Sequence, residues 1–172
     1  MSRRPAPIPA SLRAPAFTVP QARAAGVSVG RLRHGSLRAP TRGVRALGPA
    51  PVADVEGVHA RCCEIAPALP PGSVFCHVTA LVLLGIDVPL GIDATSDLHV
   101  LVPPGTTPPR RRGVVAHRGP VPAADDLRGR NGVPILAADA AWVQLGAHLT
   151  LREVMVLGDA LTRRTRPWCS PA

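Results

Sequence analysis

Lysine and tyrosine are absent from this 172-residue sequence, and every one of its 20 basic residues is arginine. Without lysine the chain cannot build a Walker-type phosphate loop, a Schiff-base nucleophile, or the lysine that completes the usual metal-dependent nuclease carboxylate cluster. Without tyrosine it has no phenolic nucleophile. Aromatic residues are nearly missing too, being Phe17, Phe75, Trp142 and Trp168 only. Single-stranded nucleic acid, which is held by stacking bases on aromatic rings, therefore fits poorly. Acids are absent from the first 53 residues, which hold nine arginines. No apolar run approaches the roughly 20 residues that cross a bilayer, the longest being residues 78–86. A cytoplasmic protein without membrane contact is the expectation. The four cysteines, Cys62, Cys63, Cys76 and Cys169, form no C-x-x-C pair. They read as reduced, buried small residues, and Cys63, Cys76 and His77 lack the paired spacing of a zinc site.

The net charge of +9 lies wholly in the first 45 residues, because residues 54–172 carry eleven arginines against eleven acids. A basic, acid-free front beside a charge-balanced remainder is the asymmetry of a chain that faces a polyanion. The plainer reading is a solvated arginine-rich segment. The hydrophobic fraction of 46% is ample for a core in the remainder.

Residues 1–15, punctuated by Pro5, Pro7, Pro9 and Pro15, read as a disordered leader. Thr18 and Gln21 have the form of a capping box opening a short helix that ends at Gly26. Ser28 caps a second helix from Val29 to about His34, with Val29 and Leu32 turned to the core and Gly35 as its stop. Two short helices across a glycine turn suggest a helix-turn-helix. Residues 37–44 then read as two short strands around a tight turn, the place of a wing. In that arrangement Arg31, Arg33 and His34 face a DNA groove, and Arg38, Arg42 and Arg45 flank it on the phosphates.

The pattern predicts a helix from Asp54 to about Ala66, with Val55, Val58, Cys62 and Ile65 at helical spacing. An apolar segment follows from Val74 to Leu84. Strands are predicted at Leu98–Val102 and Val114–His117, joined by a proline-rich loop that carries Arg110, Arg111 and Arg112, and another strand at Gly132–Leu136. A second capping box, Thr150 with Glu153, opens a last helix to about Arg164, with Leu151, Val154, Met155 and Leu161 on one face. The fold class is α+β: an N-terminal winged helix-turn-helix over residues 16–50, a small mixed α/β domain over 51–164, and a tail over 165–172.

Catalytic constellations are weak. Gly26-Val27-Ser28-Val29-Gly30 matches the G-x-S-x-G nucleophile elbow letter for letter, but a helix rather than a core strand precedes Ser28. Ser28 reads better as a helix cap. Asp87, Asp93 and Asp97, and the pair Asp125 and Asp126, have neither calcium-loop spacing nor paired helical geometry. His77, His99, His117 and His148 are scattered, and read as satisfied or surface histidines rather than ligands or bases. No catalytic residue, metal ligand or cofactor is expected.

Ordered matches point to a family. Phe17-Thr18, Gln21-Ala22, Ala24-Ala25-Gly26-Val27-Ser28, Leu32-Arg33 and Thr41-Arg42-Gly43-Val44 resemble the N-terminal winged helix of AbiEi-type antitoxins of type IV toxin-antitoxin systems. His77-Val78-Thr79-Ala80, Leu83, Gly85 and Pro89 resemble the family's SHxTAAxLxG segment, and matches at 99–103, 113–118, 132–134 and 158–161 continue in order. Cys76 stands where the family has Ser, and Ala140-Ala141 and Gln144 depart from its Arg-Thr and acid. The resemblance implies a non-catalytic, DNA-binding antitoxin that represses its own operon, with a nucleotidyltransferase toxin as partner. Actinobacterial members often continue into a nuclease domain similar to very-short-patch-repair endonucleases, expected to be absent here. Two other readings stand beside this one: the targeting half of an endonuclease whose cutting half was lost, and a protein-interaction module with no DNA binding.

Overall fold

The computed structural model describes residues 5–12, 14–122, 127–130 and 133–163. The chain is α+β. Strand β1 (Ala16–Thr18) runs into helix α1 (Val19–Ala24), a turn leads to the single-turn helix α2 (Val29–Leu32), and the chain returns as strand β2 (Val44–Ala46). The capping box is formed as its residues require: Thr18 Oγ1 accepts from Gln21 N at 3.3 Å, and Gln21 Oε1 accepts from Thr18 N at 2.8 Å. Ser28 Oγ accepts from Arg31 N at 3.2 Å, so Ser28 is a cap. Gly26, at φ 80, supplies the left-handed turn between the helices that a side chain would resist.

Three sequence expectations change in this region. The packed part begins before Phe17: Ala10–Leu12 form a 3-10 turn, and Ile8 and Leu12 are buried with Phe17, Ala22, Val27, Leu32 and Leu37. Apolar side chains thus draw part of the proline-punctuated leader onto the core. Val29 is 49% exposed, because a helix of one turn buries only Leu32. The two strands predicted over 37–44 reduce to one bridge, Arg38 with Ala46, since β2 lies later and pairs antiparallel with β1. Residues 44–46 are therefore the middle of a small sheet with β1 on one side and Arg38 on the other.

Helix α3 (Val55–Ile65) follows, capped by Asp54, whose carboxylate accepts from Gly57 N at 2.7 Å. It buries Val58, Cys62 and Ile65, while Val55 at its start is exposed. Strand β3 (Val74–Phe75), helix α4 (His77–Leu84), strand β4 (Leu98–Val102), strand β5 (Val114–Arg118), strands β6 (Arg128–Arg130) and β7 (Val133–Ile135), helix α5 (Ala138–Gly146) and helix α6 (Leu151–Thr162) complete the body. The five strands lie in the order β5-β4-β3-β7-β6. β4 and β5 run parallel, as do β3 and β7; the other two pairs are antiparallel. Short β3 is buried on both faces, and α4, apolar all round, is buried from His77 to Leu83 before Gly85 caps it.

Helix α5 fell in a stretch with no predicted element. It forms a hairpin with α6, in which Trp142 Nε1 donates to Val154 O at 3.2 Å and Trp142 packs against Gly158. The face predicted for α6 is also revised: Leu157 and Leu161 are buried, whereas Leu151 and Met155 are more than 60% exposed. The α6 capping box is present. Cys169, Asp125, Asp126 and the tail over 165–172 lie outside the described residues.

Candidate nucleic-acid interface and a histidine cluster

The six residues assigned to DNA divide into two groups. Arg31, Arg38 and Arg45 are half-buried and engaged within the protein. Arg31 donates to Ala6 O at 2.6 Å and Ser36 Oγ at 3.0 Å. Arg45 donates to Leu32 O at 2.7 Å and Val44 O at 2.8 Å. Arg38 donates to Gly48 O at 2.8 Å and forms an ion pair with Glu64 of α3, whose side chain is only 9% exposed. Arg33, His34 and Arg42 are exposed. His34 Nδ1 accepts from Ser36 N at 3.2 Å and lies 3.0 Å from Ser36 Oγ, and the side chains of Arg33 and Arg42 have no partner among the described residues.

The triplet Arg110-Arg111-Arg112 lies in the proline-rich loop between β4 and β5, and the fold brings it to Arg42. Arg111 donates to Thr41 Oγ1 at 3.2 Å, to Arg42 O at 2.8 Å and to Ala68 O at 3.2 Å. One guanidinium therefore pins the 40–43 turn to the body. Around this clasp, Arg42, Arg110 and Arg112 with Pro40 and Pro109 line an open groove of about 620 Å³ that has no acid in its wall. Such a groove offers charge and multiple N–H donors to phosphate oxygens, and its prolines hold the loop without competing side-chain hydrogen bonds. The one signal in the sequence was the run of three arginines.

The histidines, read as scattered, are brought together. Parallel pairing of β4 with β5 sets Leu101 opposite His117, which leaves His99 and His117 on one face of the sheet. His77 enters from the first residue of α4, at φ 54, and its N–H donates to Gln144 Oε1 at 3.2 Å. The rings of His77 and His117 stack at 4.3 Å and 8°, and those of His77 and His99 at 5.1 Å and 16°. His99 Nδ1 and His117 Nε2 are 2.9 Å apart and share a hydrogen bond. His148, exposed between α5 and α6, tilts against His77 at 5.6 Å.

Burial, followed by the neighbouring imidazoles, pushes His77 down to about 4. Burial likewise lowers His99 and His117. All three rings are thus neutral at pH 7, each with a lone pair. A cleft of about 340 Å³ opens on His77 and His117, walled by Gln144, Arg118 and Pro120. Cys76 is no part of a reactive centre, since burial pushes its thiol up to about 12, and Cys63 faces His59 at 3.7 Å instead of Cys76. The Cys63, Cys76 and His77 set considered from the sequence is therefore not assembled. Compared with known proteins, the chain matches no family model and no curated protein.

Proposed function

We propose that this chain is a non-catalytic, duplex-DNA-binding protein, an antitoxin-like transcriptional regulator whose first fifty residues act as a winged helix-turn-helix. One observation carries the reading: the acid-free groove in which exposed Arg42, in the turn before β2, meets Arg110 and Arg112. Two helices across a glycine turn, followed by β2 held between β1 and the Arg38 segment, support the placing of that turn as a wing. Arg33 and His34, exposed at the end of α2, are the candidates for base contacts, and Arg42, Arg110 and Arg112 for phosphates. Arg31, Arg38 and Arg45 hold the unit together instead of touching DNA.

The test is fluorescence anisotropy on duplex DNA from the chain's own upstream region against a scrambled duplex, across about 50 to 200 mM salt. The expected result is tighter binding to the cognate duplex, with the salt slope reduced by about 0.9 for each of Arg42→Ala, Arg110→Ala and Arg112→Ala. Slopes unchanged in all three variants remove the groove from the interface. No binding to either duplex favours a protein-interaction module, for which Val143, Leu151, Met155 and Val156, apolar and exposed among the described residues of α5 and α6, are the observation in support.

A further inference from the structure

We propose that His77, His99 and His117 form a binding site for a divalent transition-metal ion of zinc type. Three side chains from three separate elements, α4, β4 and β5, each present a ring nitrogen such that all three lie within 4.8 Å of one another. A tetrahedral ion with zinc–nitrogen bonds of 2.0–2.1 Å needs its ligand atoms about 3.3 Å apart. Coordination requires rotation about the side-chain torsions, to close that gap and to turn the stacked rings until their lone pairs converge.

Hydrogen-bond accounting points the same way. Three neutral imidazoles carry three lone pairs and three N–H groups. Among the described residues a single hydrogen bond, His99 to His117, uses one of each, and neither ring nitrogen of His77 has a hydrogen-bond partner. The ring nitrogens left over are available to coordinate a cation, and those of His77 and His117 border the cleft. The backbone of the site is fixed independently of any metal: His99 N donates to Thr79 Oγ1 at 2.8 Å, Cys76 N donates to His99 O at 3.0 Å, and Gln144 holds His77 N. His77 also keeps a left-handed backbone, φ 54, that a non-glycine residue adopts only where its surroundings impose it.

The donor set decides the class of ion. Three imidazoles without a carboxylate or thiolate among them suit Zn²⁺, Co²⁺, Ni²⁺ or Cu²⁺, and do not suit Mg²⁺ or Ca²⁺, which take oxygen ligands. Three protein ligands leave a fourth position, on the side of the 340 Å³ cleft, for water or a small anion, with Arg118 in the cleft wall to favour the anion. His148 is outside the three-nitrogen set.

The test uses the full chain without a polyhistidine tag, freed of metal by chelator and titrated with zinc chloride in a calorimeter. One ion per chain is expected, with affinity lowered at least 100-fold in His99→Gln and in His117→Gln, and unchanged in His34→Gln and His59→Gln. Circular dichroism of the metal-free variants checks that they fold. Ring-nitrogen resonances of the unaltered protein give a second readout: zinc must move those of His77, His99 and His117 and leave those of His34 and His59. Absence of binding heat, full affinity in both ligand variants, or resonances moving at His34 or His59 instead overturns the assignment, and a magnesium titration must give no heat.

Discussion

Replacing Arg38 by alanine separates stability from the proposed DNA affinity, and the structure sets the size of the effect on stability. Glu64 is buried, and Arg38, 27% exposed at its side chain, forms an ion pair with it. Removing one partner of a fully buried pair costs about 3–5 kcal/mol. Partial exposure of Arg38 lets water reach the orphaned carboxylate, which reduces this to about 2 kcal/mol. Loss of the Arg38 to Gly48 hydrogen bond adds about 1 kcal/mol. The sum, about 3 kcal/mol, lowers the melting temperature by about 6–12 °C for a chain of this size. Thermal unfolding followed by circular dichroism measures it, and the double variant Arg38→Met with Glu64→Leu, which removes both charges, recovers most of the loss. The salt slope of DNA binding stays as in the parent. A melting temperature within about 2 °C of the parent, below 1 kcal/mol, with a slope lower by about one, would show Arg38 on a phosphate and refute this account.

Gly57→Ala drives a methyl carbon into Val52 O, so the segment before α3 must shift; a loss of about 1–3 kcal/mol in urea unfolding is expected, and an unchanged midpoint contradicts it. In chelator, acid stability follows the histidines. Their folded pKa values lie below the unfolded value of 6.5, so well above pH 6.5 they are neutral in both states, and as pH falls through 6.5 toward about 4 the unfolded chain takes up protons that the folded chain refuses. The melting temperature therefore falls through that window, with Asp97 and His148 the other ionisable side chains facing the cluster, and falls less in the His99→Gln and His117→Gln double variant; parallel pH curves for the two proteins count against it. Cys62 and Cys76, whose thiols burial holds protonated, stay unmodified by a disulfide reagent at about pH 8 while the protein is folded. Rapid native labelling of either one contradicts their burial.

Local signals were legible in the sequence wherever neighbours along the chain decide the outcome. Thr18 with Gln21, Asp54, and Thr150 with Glu153 open the helices they were expected to open, because a cap needs only three or four consecutive residues. The strands at Leu98 and Val114 were found, but not their parallel pairing, which depends on where the proline-rich loop carries the chain. The histidine cluster is a product of that pairing and could not be read from spacing. Charge counting located the basic front, yet it could not separate Arg42, left in solvent, from Arg38 and Arg45, which satisfy internal carbonyls and a buried carboxylate. Helix α5 escaped because its N-cap position is Ala137, which gives no capping side chain to read.

The clasp made by Arg111 bears on modularity. Its guanidinium ties Thr41 and Arg42 of the front segment to Ala68 of the body, and its neighbours Arg110 and Arg112 stand with Arg42 in the basic wall. Residues 16–50 are accordingly not a transplantable unit: grafted alone onto another scaffold, they would carry Arg42 but leave behind the lever that aims it. An exchange of the front for another segment keeps the clasp only if the 109–112 loop travels with it.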